Sequence, residues 1–71
     1  MTLTEEEARH WKEAREIAGR YPFLPDEVYA VGRQLGWDWQ QTEAVLTLSI
    51  GLGQPLSNTL NRYRDALSRL P

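Results

Sequence analysis

The strongest constraint on the fold is a long segment that is almost free of charge. From residue 34 to residue 61 the sequence has no Lys or Arg, and its only acidic residues are Asp38 and Glu43. Within this segment, residues 39–50 are apolar on most sides of a helix, and a helix of that kind is usually buried. A chain of 71 residues has room for one domain. We therefore expect this helix to form the core of a single domain, residues 1–71, with the other helices around it.

Short motifs at helix ends predict four helices. Thr4 followed by Glu7 is a capping box, in which each side chain satisfies a backbone amide of the other residue. Gly36 stands where a helix ends in the left-handed conformation, and Asp38 with Gln41 forms a second capping box. No stretch shows the alternating apolar pattern typical of strands. We predict an all-α fold, a compact bundle of four short helices at about 4–19, 25–35, 39–50 and 56–70.

Three further features predict how these helices pack. Gly32 lies inside the second helix, where glycine costs about 1 kcal/mol relative to alanine, so we expect a neighbouring helix to approach closely there. The linker at residues 20–25 is apolar and is expected to lie on the core. The fourth helix carries a narrow stripe with the spacing of a coiled-coil seam. We expect this stripe to seal the third helix, and the alternative is that it docks on a second copy. Its residues are Leu56, Leu60, Tyr63, Leu67 and Leu70.

The composition narrows the classes of function. The net charge is −2, whereas a dedicated nucleic-acid binder usually carries a basic excess. No apolar run approaches the roughly 20 residues that a bilayer span needs, and the acidic start of the chain lacks the features of a signal peptide. The absence of cysteine fits a reducing compartment. We expect a complete small protein of the cytoplasm, with no membrane partner.

Side chains that could carry chemistry are sparse. His10 is the only histidine, and we assign it to the charged, solvent-facing side of the first helix. A metal site would need three or four ligands, and a nucleophile would need a neighbouring base. Asp38 is explained as a helix cap, so it does not form an acid–base pair with Glu43. We predict no enzyme activity, no metal and no cofactor.

The two helices around the central turn also fit a helix-turn-helix frame. Gly32, Gly36 and Trp37 occupy positions typical of that motif, and the first turn of the next helix presents Gln40 and Gln41. Glutamine side chains can read adenine in the major groove. However, the segment has no Lys or Arg to contact phosphates, and phosphate contacts supply most of the affinity for DNA. DNA binding is therefore the alternative hypothesis.

A short motif resembles a known family of binding domains. Leu35-Gly36-Trp37-Asp38, followed after five residues by Ala44-Val45-Leu46, is similar to the first turn and second helix of a ubiquitin-associated (UBA-like) domain. Members of that family are compact three-helix bundles that bind partner proteins through this turn and the end of the third helix. This chain adds an amino-terminal helix and a longer second loop. The resemblance implies that Leu35, Gly36 and Trp37 form a partner-binding turn.

Aromatic residues are dense around the same turn. We expect Trp11 and Trp39 to pack in the core and Trp37 to stay partly exposed. Trp and Tyr are over-represented among the residues that dominate binding energy. The leading hypothesis is a small non-enzymatic adaptor or regulatory protein that binds another protein, and self-association is a third hypothesis. The predicted binding surface comprises Tyr29, Arg33, Leu35, Gly36, Trp37 and Gln40.

Overall fold

The computed structural model describes residues 2–70, and over that range the chain is all-α, as predicted. The four helices are α1 (Glu5–Ala18), α2 (Pro25–Gln34), α3 (Trp39–Leu52) and α4 (Leu56–Ser68). Each boundary lies within two residues of its predicted position. No helix in the described part of the chain is long and apolar enough to cross a bilayer.

The predicted side-chain caps begin two of these helices. At the start of α1, the hydroxyl of Thr4 accepts a hydrogen bond from the amide of Glu7 at 3.1 Å, and the carboxylate of Glu7 accepts one from the amide of Thr4. At the start of α3, Asp38 Oδ1 accepts from the amide of Gln41 at 3.1 Å. The reciprocal bond of the predicted second capping box, from the amide of Asp38 to the side chain of Gln41, is not formed. Each bond satisfies an amide that has no partner inside the helix, so the caps fix where α1 and α3 begin.

The turn between α2 and α3 closes as a Schellman motif. The amide of Trp37 donates to the carbonyl of Gly32 at 2.8 Å, and the amide of Gly36 donates to the carbonyl of Arg33 at 3.3 Å. Gly36 has a φ of +66°, which is the left-handed conformation that its position predicts. These bonds satisfy the last carbonyls of α2 and fix the direction in which α3 leaves the turn.

The helices pack in series, α1 on α2, α2 on α3, and α3 on α4. The central core combines Ala14 and Ile17 of α1 with Val28 of α2 and Leu46 of α3. All four are completely buried. The core is therefore shared among the first three helices, and Leu56 of α4 packs against it.

At Gly32 the indole ring of Trp39 from α3 packs directly against the backbone of α2. A Cβ atom at this position would lie 2.6 Å from Cζ3 of Trp39, which is too close for any side chain. The prediction of a close approach is therefore confirmed, and the neighbour is an indole ring from α3.

The prediction that α3 is buried on most sides is wrong. Leu48, Ile50 and Leu52 are 45%, 49% and 54% exposed. Only α2 and α4 pack closely against α3, while α1 packs mainly on α2, so no described helix covers the outer side of α3. The buried residues of α3 form one stripe, Thr42, Val45, Leu46 and Ser49.

The loop after α3 also begins later than predicted. Gly51 is helical, and the helix ends at Gly53, whose φ of +65° makes it the left-handed cap. The buried hydroxyl of Ser49 donates to the carbonyl of Gln54. Of these two glycines, Gly51 therefore belongs to the exposed side of α3, and only Gly53 ends the helix.

The linker between α1 and α2 lies on the core through its aromatic residues only. Tyr21 and Phe23 pack against the core, whereas Leu24 is 67% exposed. Glu43 of α3 holds the start of this linker, because one of its carboxylate oxygens accepts from Tyr21 Oη and from Arg20 Nη2, each at 3.1 Å.

Candidate functional site

Five aromatic rings from three helices and one turn meet beside the α2–α3 connection. We call them the aromatic cluster: His10 and Trp11 from α1, Tyr29 from α2, Trp37 from the turn, and Trp39 from α3. All five side chains are half-buried. The cluster therefore has one side inside the protein and one side in solvent.

Two parallel stacks form the centre of the cluster. His10 lies on Trp37 with ring centroids 3.8 Å apart and planes 15° from parallel. Trp11 lies on Tyr29 with centroids 4.0 Å apart and planes 8° from parallel. A tilted contact of 5.1 Å between Tyr29 and Trp37 joins the two stacks. The rings thus connect α1 to the α2–α3 turn. The turn itself contributes no residue to the buried core cluster.

The assignment of His10 to a solvent-facing, charged side of α1 is wrong. His10 is half-buried and stacked on Trp37. Its spacing carried the signal, since His10 lies four residues before Ala14 and seven before Ile17, both of which are completely buried. Residues at those spacings share one helix face.

Trp37 has an unusual backbone conformation. Its φ is +64°, and it is the only residue other than glycine with a positive φ between residues 2 and 70. The left-handed conformation costs a residue with a Cβ atom roughly 1–2 kcal/mol, and it is rarest for bulky side chains. Stacking of an aromatic pair contributes about 0.5–1.5 kcal/mol, so the contact with His10 offsets part of that strain. Nothing in the sequence predicted this conformation, because the neighbouring Gly36 already supplies the turn.

The structure places the predicted binding residues in two groups. Tyr29 and Trp37 lie together in the aromatic cluster, and each uses one ring face for a contact inside the protein. Leu35 is half-buried in the turn. The remaining three residues are exposed around the same turn: Arg33, Gly36 and Gln40. The surface that faces solvent is therefore the outer side of the cluster with a polar border.

A second surface feature was not predicted. An open groove of about 260 Å³ runs between α2 and α4. Its apolar lining comes from Ala30, Val31, Leu56 and Leu60, and its polar lining from Glu27, Gln34 and Ser57. A hydrogen bond of 2.9 Å from Arg64 Nη1 to Gln34 Oε1 joins the two walls. The groove depends on how two helices far apart in sequence approach each other, which residue spacing does not reveal.

Within residues 2–70, no group of three or more His, Cys, Asp or Glu side chains is arranged to hold a metal ion. No protein-family model matches this chain, and neither a curated protein nor a solved structure is significantly similar to it. The similarity of the central turn to UBA-like domains therefore stays a prediction.

Proposed function

We propose that this protein is a small non-enzymatic adaptor that binds another protein through the turn between α2 and α3. The observation that supports the proposal most is the strained, half-exposed Trp37. Backbone strain of this kind concentrates at binding sites, where it persists because the surrounding structure holds it in place. Tryptophan is also among the residues most enriched at energetically dominant positions of interfaces.

The contacts of Trp37 suit it to act as a binding anchor. His10 covers one side of the indole, and Tyr29 and Trp39 contact it at centroid distances of 5.1 and 5.9 Å. A ring held in this way loses little further freedom when a partner binds, and pre-organisation lowers the entropic cost of association. Arg33 and Gln40 are exposed on either side in sequence, and they supply the polar border that surrounds the apolar centre of most interfaces.

The UBA-like resemblance belongs to the same proposal, since it assigns partner binding to Leu35, Gly36 and Trp37. The charge distribution favours a protein partner over DNA. α3, which would be the recognition helix in the alternative, contains no Lys or Arg, whereas DNA-binding elements need cations for the phosphates. We place this activity in the cytoplasm, because a chain without cysteine fits a reducing compartment.

Affinity capture from the source cells tests the proposal with variants that leave the aromatic cluster intact. The double substitution Arg33→Ala and Gln40→Ala removes the polar border, so it should reduce the partner recovered by the wild type. The matched control is Asn58→Ala with Arg62→Ala, two exposed positions on α4, and it should retain full capture. Equal recovery with both variants, or binding to mixed-sequence duplex DNA that falls steeply with salt, would contradict the proposal.

A further inference from the structure

The groove between α2 and α4 is an apolar recess that the described chain leaves open. Both helices pack on α3, but they do not pack closely on each other, and the groove of about 260 Å³ lies between them. Leu56 and Leu60 line this groove and stay half-buried, although they belong to the stripe predicted to seal α3. Part of their remaining surface therefore faces a recess that two helices shape.

The dimensions of the groove suit one face of a helix. Its α2 wall runs from Glu27 to Gln34, which is about 10 Å at the helical rise of 1.5 Å per residue. An amphipathic helix that binds in a groove places its anchors over the same spacing, at i, i+3, i+4 and i+7. The volume lies below the roughly 300–1,000 Å³ of most small-molecule sites. The groove therefore has room for a few side chains of a docked segment and not for a whole small ligand.

The two ends of the groove carry opposite charges. The hydrogen bond of 2.9 Å from Arg64 to Gln34 holds a guanidinium at the end where α2 stops. Glu27 lies at the other end, in the first turn of α2, and its carboxylate is held there by a hydrogen bond of 3.0 Å from the amide of Leu24. Neither Glu27 nor Arg64 belongs to an ion pair between residues 2 and 70. Both charges are therefore available to a partner that lies along the groove.

We propose that this groove binds a helical segment of another protein, with an acidic residue at position i, two apolar residues at i+3 and i+4, and a basic residue at i+7. The acidic residue lies beside Arg64, the basic residue lies beside Glu27, and the apolar pair fills the centre of the groove. The segment then runs antiparallel to α2, so its amino end lies beside the carboxyl end of α2, which is the favourable arrangement of helix dipoles.

This site is separate from the aromatic cluster. Tyr29, which belongs to the cluster, lies two positions after Glu27 and therefore about 200° around α2 from it. The groove and the cluster thus lie on opposite sides of the same helix. Binding in the groove does not depend on the function of the central turn.

Fluorescence anisotropy with three labelled peptides tests whether the groove recognises this pattern of charge. Each peptide has about 20 residues, long enough for an alanine-rich helix to form in water, and carries leucine at i+3 and i+4. Positions i and i+7 are Glu and Lys in the first peptide, Lys and Lys in the second, and Glu and Glu in the third. At about 10 mM ionic strength, where screening is weak, the Glu/Lys peptide should bind at least about threefold more tightly than either of the others. Equal affinity for all three would show apolar contact alone and, like a failure to bind the Glu/Lys peptide, would overturn the proposal.

Reversing one charge of the protein locates the binding site. Arg64→Glu should make the Lys/Lys peptide bind more tightly than the Glu/Lys peptide, with a change of at least about fivefold in the ratio of their dissociation constants. The matched control is Arg62→Glu, the same change at an exposed position of α4 that lies about 200° around the helix from Arg64, and it should leave the order of the peptides unchanged. Equal responses of the two variants would reflect net charge alone and would contradict binding in the groove. Circular dichroism of both variants confirms that the helices remain folded.

Discussion

The imidazole of His10 lies flat against the indole of Trp37, with ring centroids 3.8 Å apart and planes 15° from parallel. This contact joins the first half of α1 to the turn in which Trp37 holds a left-handed backbone. The stack therefore packs α1 directly against the strained turn. The single histidine of the chain is a packing residue of the candidate binding site.

Removing the imidazole should loosen both α1 and the turn. We expect His10→Ala to lower the free energy of unfolding by about 0.5–1.5 kcal/mol, the usual contribution of an aromatic pair. Chemical denaturation followed by far-ultraviolet circular dichroism measures this change. Arg9→Ala, at the adjacent exposed position, is the control and should change stability by less than about 0.5 kcal/mol. Equal effects of the two substitutions would show that the stack contributes nothing specific.

The sequence predicted most of the fold because helix ends are encoded locally. Thr4 and Asp38 cap helices through bonds to residues three positions later, so their effect is readable from spacing alone. Gly36 is similar, since its left-handed φ of +66° follows from the end of α2. The extent of burial was not readable, because it depends on how many helices surround a segment. The apolar composition of α3 predicted burial, but Leu48 and Ile50 remain about half exposed.

The contact between Gly32 and Trp39 makes a sharp prediction about the packing of α2 on α3. A methyl group at Gly32 would lie 2.6 Å from Cζ3 of Trp39, so the ring must move. We expect Gly32→Ala to destabilise the fold by about 1–3 kcal/mol, the range for overpacked cores, although alanine favours a helix.

A double-mutant cycle with Trp39→Leu separates this clash from other effects. Leucine lacks the ring atoms that meet the new methyl group, so Gly32→Ala should cost less in the Trp39→Leu background than in the wild type. A coupling energy of at least about 0.5 kcal/mol is expected for residues in contact. Simple additivity of the two substitutions would contradict the close approach that the structure shows.

The candidate site was only half predictable. The sequence placed Tyr29 and Trp37 at one surface, and the structure brings their rings to 5.1 Å. It did not predict that His10 and Trp11 of α1 cover the inner faces of those two rings. His10 and Trp37 lie 27 positions apart in the sequence, and Trp11 and Tyr29 lie 18 apart. Both contacts depend on how α1 crosses α2, and helix periodicity within either segment does not determine that crossing.

Gly36 and Gly51 should respond in opposite ways to the same substitution. Gly36 has a φ of +66°, so Gly36→Ala should destabilise the protein by about 1–2 kcal/mol because of the left-handed strain. Gly51 lies in the last turn of α3, and a side chain there would meet open space within the described chain. Gly51→Ala should therefore stabilise the protein, by less than the roughly 0.5–1 kcal/mol that applies in the middle of a helix. Thermal unfolding at a low, fixed protein concentration measures both changes. A loss of stability in Gly51→Ala would show that this glycine has a role inside the fold.

The stack between Trp11 and Tyr29 should stabilise the fold through its rings and not through the phenol hydroxyl. The two rings lie 4.0 Å apart at 8° from parallel, a geometry that depends on ring faces alone. We therefore expect Tyr29→Phe to leave the free energy of unfolding nearly unchanged and Tyr29→Leu to lower it. A double-mutant cycle with Trp11→Leu should give a coupling energy of about 0.5–1.5 kcal/mol, typical of aromatic pairs. Urea denaturation of the four proteins of the cycle measures that coupling. If Tyr29→Phe were as destabilising as Tyr29→Leu, the hydroxyl and not the stack would fix α1 to α2.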